Sequence, residues 1–217
     1  MSIKADDVKK LREMTGAGMM DCKAALSEAG GDFEKAIEVL RKKGLKDVNK
    51  RAGKVASEGT MGVYLHSGDQ VVGVVELLCE TDFVARGDEF KDTAKGIAMH
   101  VAAMGPKYLT PEDVPAEVIE KEKDIFLEQL SEAQRKNADK ILPGKIQKFF
   151  EENCLMDQAY IKDDSGNKTI KEIVQDLSAK TGEKVELRRF ARFQVGEGIE
   201  KVQANLAEDV AALTASA

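Results

Sequence analysis

The sequence predicts an α+β protein: a helical N-terminal module, then a core in which a small antiparallel sheet is packed by helices. Three observations carry this expectation. Residues 1–50 hold short apolar stripes at helical spacing, broken by glycines. Two strand-like runs, GTMGVYLH and QVVGVVELL, flank the turn signal Ser67-Gly68-Asp69. Beyond residue 88 helical stripes return, except for one alternating run at 185–195.

Val8, Leu11 and Met14 mark a first helix, which Thr15-Gly16-Ala17-Gly18 breaks. Met19, Cys22, Ala25, Leu26 and Ala29 mark a second, closed by Gly30-Gly31. Asp32 can cap a third, carrying Phe33, Ala36, Ile37 and Leu40, with Arg41, Lys42 and Lys43 in its last turn and Gly44 ending it. Helices this short need one another, so residues 1–54 form one module with a basic helical linker.

A core domain is expected over 55–195. Its second strand is apolar nearly throughout, which predicts that both of its faces are covered. Phe90, Ala94, Ile97, Ala98, Val101 and Ala102 make the stripe of a helix over 88–104, stopped by Gly105-Pro106. Thr110 and Pro111 open another helix, striped by Val118, Ile119, Ile125, Phe126, Leu130 and Ala133. A helix around Ile146–Phe150 follows the Pro143-Gly144 break. The chain near Tyr160 reads as extended, with a turn at Asp163–Asn167. Thr169-Ile170-Lys171-Glu172 is a capping box opening a helix with Ile173, Val174 and Leu177, closed by Gly182. In the alternating run Val185, Leu187, Ala191, Phe193 and Val195 share a face, with Arg189 the misfit. A C-terminal module, 196–217, carries a helix with Ile199, Val202, Leu206, Val210 and Leu213.

With 217 residues there is room for one mid-sized core and a small accessory module. The 42% hydrophobic and 33% charged residues are a soluble globular balance, and 5% aromatics without Trp require aliphatic cores. No secretion signal is read at the N-terminus, and no run approaches the roughly 18 apolar residues of a membrane span. Cys22, Cys79 and Cys154 are expected to be reduced cytosolic thiols. With two His and no CxxC, a zinc site is not expected.

The net charge of −6 argues against general nucleic-acid binding. Residues 1–54 nevertheless hold 13 Lys and Arg against 9 Asp and Glu, while the remainder holds 20 against 30. A basic arm over 41–54 is therefore one rival reading. An enzyme built on Cys79 is another. His66 sits beside the hairpin turn, roughly 30 Å along the strand from Cys79 at about 3.3 Å per residue, so only His100 could reach it. The segment TGAGMMD lacks the phosphate-loop pattern and follows no strand.

One segment asks for another explanation. CETDFVAR, 79–86, places Phe83 beside Asp82 where the apolar strand ends. Either Thr81 or Asp82 caps a helical turn and Phe83 packs inward, or Phe83 is an anchor for a pocket on a partner.

LREMTGAGMMDCKAAL (11–26), ELLCETDFVAR (76–86) and VGEGIEKV (195–202) resemble, in order, the signature segments of the bacterial translation elongation factor Ts family. The resemblance implies a ubiquitin-associated-like N-terminal module and a guanine-nucleotide exchange factor for the GTPase elongation factor Tu. It implies that Phe83 wedges into an apolar pocket of elongation factor Tu beside Asp82, with Thr81 and Val84 shaping the loop, displacing groups that hold Mg²⁺ and phosphate. Lys9, Arg12, Met19, Met20 and Lys23 match the family's docking region, and the C-terminal helix is expected to touch elongation factor Tu too. No cofactor is expected, since Mg²⁺ and GDP or GTP belong to the partner. The chain holds one core where longer members hold two, which implies a homodimer in a two-Ts, two-Tu complex. The strand Val185–Val195 is the candidate dimer contact. The resemblance implies a cytoplasmic protein without membrane or direct nucleic-acid binding.

Overall fold

A computed structural model describes residues 3–15, 17–51, 53–163, 166 and 168–199 of the chain. The N-terminal helices are α1 (Ala5–Thr15), α2 (Met19–Glu28) and α3 (Phe33–Arg51). Val8, Leu11, Cys22, Ala25, Leu26 and Ala36 bury a core of their own between them. Met14 is exposed, against expectation. The buried stripe steps from Leu11 to Thr15 instead, and the Thr15 hydroxyl donates to the Leu11 carbonyl at 2.7 Å. Asp32 caps α3 by accepting from the Lys35 N–H at 3.2 Å, and that bond holds its carboxyl below the usual range.

Gly44 does not end α3, which runs on to Arg51. Its missing side chain admits a neighbour: a Cβ there would lie 3.3 Å from the Ala179 methyl of α9 (Ile170–Thr181). Arg41 also pairs with Glu172 of α9, so the module is tied to the core along α3.

The core sheet has the order β1-β2-β3, antiparallel throughout, from β1 (Glu58–Leu65), β2 (Val71–Cys79) and β3 (Glu186–Gln194). Its inner face is covered by α5 (Asp88–Met104), whose expected stripe is buried in full. Gly62 and Gly73 make this approach possible. A Cβ on either would stand 2.2 Å from the Ala94 or the Ala98 carbonyl oxygen. Helix α9 and the short helix α4 (Asp82–Ala85) close the same core.

The outer face is covered less than the apolar run predicts: Val72 and Val74 of β2 are half-buried there. Met61, Val63 and Leu65 of β1 are exposed, opposite Glu76, Val74 and Val72 of β2. Phe193 of β3, opposite Val72, is exposed as well.

The misfit at Arg189 has a geometric cause. Glu76 pairs with Arg189 but Leu77 with Leu187, so Arg188 is an extra residue in β3. This β-bulge exchanges the faces of the strand. Leu187 points to the core before it, whereas Phe190 packs inward and Ala191 and Phe193 stand opposite the outer residues Val74 and Val72 after it. The expected common face of Val185, Leu187, Ala191 and Phe193 is therefore split in two.

A side lobe stands on α6 (Ala116–Gln129), the short α7 (Glu132–Arg135) and α8 (Ala138–Asn153). Val114, Phe149 and Cys154 centre a small core with Val118, Ile119 and Phe126. Thr110 caps only a single 3-10 turn, Pro111–Asp113, and α6 starts after Pro115, where a helix interior would need the missing N–H. Ala133 lies in the separate α7, opened by a Ser131–Gln134 capping box, and is exposed. Helix α8 continues through Pro143 and Gly144, against expectation. Pro143 and the residue four before it, Asp139, both lie on the exposed side, where solvent can serve the orphaned carbonyl.

Gln158 and His100 are fully packed between α5 and the Ala159–Thr169 bridge. Nε2 of His100 faces Gln158 Oε1 at 2.9 Å and Nδ1 accepts from the Ile161 N–H at 3.2 Å, while burial pushes its pKa down. Thr169 and Glu172 form the expected box at the head of α9, and Gly182 closes that helix at φ +74°. Of the predicted C-terminal helix only Ile199 is described; Val202, Leu206, Val210 and Leu213 lie outside the described residues. So do Asp164, Ser165 and Asn167 of the predicted turn.

Candidate functional site

Strand β2 delivers the chain to the segment 79–86. Cys79 is the last residue in the ladder, paired with Glu58. Thr81 then turns extended, at φ −126° and ψ 152°, and its hydroxyl accepts from the Val84 N–H at 3.4 Å. That cap starts α4, one turn of helix. Its four residues diverge. Ala85 is buried and Val84 packs against the main core. Asp82 points to solvent and pairs with Arg86 one turn on, at 3.1 Å. Phe83 is 86% exposed, more than any other large apolar side chain among the described residues. Of the two readings of this loop, Thr81 is the cap and Phe83 points out.

An aromatic ring in water is unfavourable, since burying it is worth about 1.5–3 kcal/mol. The turn that carries it is nevertheless firmly rooted. The Glu183 carboxylate accepts from the Glu80 N–H at 3.1 Å, the Thr81 N–H at 3.0 Å and the Thr81 hydroxyl at 2.6 Å. In return the Glu80 carboxylate accepts from the Lys184 N–H at 2.6 Å and pairs with Lys54 at 2.8 Å. Sequence reading missed Glu80, Glu183 and Lys184. Glu183 and Thr81 are 102 positions apart, and no local pattern joins them.

Lys9, Arg12, Met19, Met20 and Lys23 all lie exposed on α1 and α2. Met20 is 76% exposed. Exposed Met14 adds a third thioether near the α1–α2 connection, and a strict count of 3.6 residues per turn from Leu11 would have found it. Methionines on a surface make an adaptable apolar patch.

The features behind the rival readings are otherwise engaged. Burial raises the Cys79 thiol to about 11, with the Glu183 charge adding to it, and the thiol donates to the Thr81 carbonyl at 3.1 Å. A thiol so protonated is a poor nucleophile. In the basic segment, Arg41 pairs with Glu172, Lys42 with Glu38, Lys43 with Asp21 and Lys54 with Glu80. Those cations face carboxylates of their own chain. Among the described residues no group of three or more His, Cys, Asp or Glu could hold a metal ion, and no helix is long and apolar enough to cross a membrane.

Comparison with known proteins covers the same ground. The family model described as Elongation factor TS matches residues 4–197. Elongation factor Ts of Pseudothermotoga lettingae is 55% identical over 199 residues, 91% of this chain and 100% of that protein. Elongation factor Ts of Thermotoga maritima is 52% identical, over 92% of this chain and 100% of that protein. For Elongation factor Ts of Finegoldia magna the identity is 51%, over 96% of each chain. With a family model spanning both the helical module and the sheet, and relatives matched end to end, the chain belongs to the elongation factor Ts family.

Proposed function

We propose that the chain is a guanine-nucleotide exchange factor for elongation factor Tu, acting by binding and breaking no covalent bond. The observation that carries this reading is Phe83, 86% exposed on a capped and anchored turn. Docking through Lys9, Arg12, Met19, Met20 and Lys23 brings the turn to the GTPase. Phe83 then enters an apolar pocket there, with Asp82 beside it contacting polar groups. Burying the ring contributes about 1.5–3 kcal/mol, a ten- to hundredfold effect on an equilibrium. That free energy displaces groups holding Mg²⁺ and phosphate in the partner. Mg²⁺ neutralises much of the phosphate charge, so its loss leaves GDP weakly held. By reciprocity GDP weakens binding of this chain by the same factor, and GTP rebinding releases it. Mg²⁺, GDP and GTP are the partner's; this chain needs no cofactor of its own. The setting of this activity is the cytoplasm.

The test is stopped-flow release of fluorescent GDP from the cognate elongation factor Tu. The wild-type chain is expected to speed release, and Phe83→Ala to be weaker by about tenfold or more. No acceleration by wild type would sink the reading.

A homodimer belongs to the same proposal, with two copies serving two elongation factor Tu molecules. Its support is the outer face of the sheet, where Met61, Val63, Leu65 and Phe193 are exposed. A second copy of the same face would cover it in an isologous sandwich. Strand β3 contributes to this contact through Ala191 and Phe193, while Phe190 faces the core. Val63→Lys is expected to shift the mass at micromolar concentration from two chains to one; a wild-type mass of one chain would refute the dimer.

A further inference from the structure

We infer that Glu183 is a positioning residue for the Asp82-Phe83 turn, holding it in the conformation that enters the partner. The inference rests on the exchange reading above. Glu80 and Thr81 lie just past the end of the sheet. The ladder between β1 and β2 ends at Cys79, and that between β2 and β3 at Leu78. The N–H groups of Glu80 and Thr81 therefore have no strand to donate to. One oxygen of Glu183 accepts from both, at 3.1 and 3.0 Å, and its other oxygen accepts from the Thr81 hydroxyl at 2.6 Å.

That third bond sets the cap. With its hydrogen committed to Glu183, the Thr81 hydroxyl turns a lone pair toward the Val84 N–H, 3.4 Å away. The carboxylate thus decides both where the turn begins and which way its first donors point. Phe83 makes no such bonds, and its ring is 86% exposed, so the turn alone fixes where the ring stands.

Glu183 is itself held. It follows Gly182, the left-handed residue at φ +74° that ends α9. Its carbonyl accepts from the buried Ser178 hydroxyl and its N–H donates to the Thr181 hydroxyl at 3.4 Å. The Lys184 N–H, bonded to the Glu80 carboxylate at 2.6 Å, closes the clasp from the other side. A rigid helix end thereby fixes a loop that has one turn of its own. Ordering a loop before it binds removes an entropic cost from the productive complex.

The experiment is GDP release from elongation factor Tu, measured against concentration of the full-length chain to separate maximal rate from half-saturation. Glu183→Ala is expected to lower the maximal rate about tenfold while half-saturation, set by the docking helices, changes much less. Glu183→Gln keeps one acceptor oxygen and should fall between. In the Phe83→Ala background Glu183→Ala should cost much less than in the wild type, because it acts mainly through the ring. A wild-type maximal rate in Glu183→Ala, or a loss that simply multiplies that of Phe83→Ala, overturns the inference. If Glu183→Ala melts below the assay temperature, Thr81→Val decides, since it deletes only the hydroxyl between Glu183 and Val84. A lowered maximal rate supports the clasp and an unchanged one overturns it. Failure of the wild-type chain to speed release removes the exchange reading instead, and this inference with it.

Discussion

The two ends of β2 solve the same problem differently. At the Val71 end the chain reverses within Ser67-Gly68-Asp69, and the bonds that make the reversal are local: the His66 N–H donates to the Val71 carbonyl at 2.8 Å and the Asp69 N–H to the His66 carbonyl at 3.0 Å, while beside them the Gln70 carbonyl accepts from the distant Val195 N–H at 2.9 Å. Gly68 and Asp69 supply the positive φ that the reversal needs, at +88° and +57°. At the Cys79 end the donors of Glu80 and Thr81 reach a carboxylate more than a hundred positions along the chain. The reversal at one end is made by its own backbone; the turn at the other is held by side chains from the rest of the fold. A turn closed by itself can carry anything or nothing. A turn closed from outside is held where the fold needs it, and this one carries Phe83.

The largest expected difference between the ends is functional. Phe83→Ala should weaken nucleotide exchange by about tenfold or more, with the melting temperature unchanged or raised, because it removes exposed apolar surface. Ser67→Ala at the other end should leave exchange untouched. Equal effects at both ends would end the comparison.

The next difference is in stability. Glu80→Ala removes the acceptor of the Lys184 N–H and the partner of Lys54, in a site where the Glu80 side chain is only 19% exposed. A loss of about 2 kcal/mol in denaturant unfolding is expected, as for a poorly solvated donor left without an acceptor. Gly68→Ala should cost about 1 kcal/mol, because an L side chain is strained at positive φ although nothing lies within 4 Å of its Cβ. A Glu80 variant as stable as wild type would show that water replaces the clasp freely.

The contrast also explains what the sequence made legible. The hairpin, the α5 stripe and the Thr169–Glu172 box were readable because each is written in adjacent residues. The continuation of α3 through Gly44 was not, since the reason is Ala179 of α9. Nor was the bulge at Arg188, which appears only once β3 is paired with β2. The exposure of Met61, Val63, Leu65 and Phe193 was hidden for the same reason, as an apolar run reads alike whether the strands beside it are covered or left in water. At the candidate site, the residues of the turn were legible and the carboxylates that hold it were not.

The smallest expected effect tests the self-closed end most directly. Asp69 is the one non-glycine residue with positive φ among the described residues. Replacing it with glycine relieves the left-handed strain of an L residue, which is small for Asp because its short polar side chain tolerates that region. Against this, glycine gives the unfolded chain more freedom to lose, by about 0.5–1 kcal/mol. The two contributions oppose each other and are of similar size. Asp69→Gly is therefore expected to change stability by no more than about 0.5 kcal/mol, and exchange not at all. A larger loss in denaturant unfolding would mean that the Asp69 side chain, and not the backbone, closes that end of β2. The two ends would then differ only in how far away their side-chain partners lie.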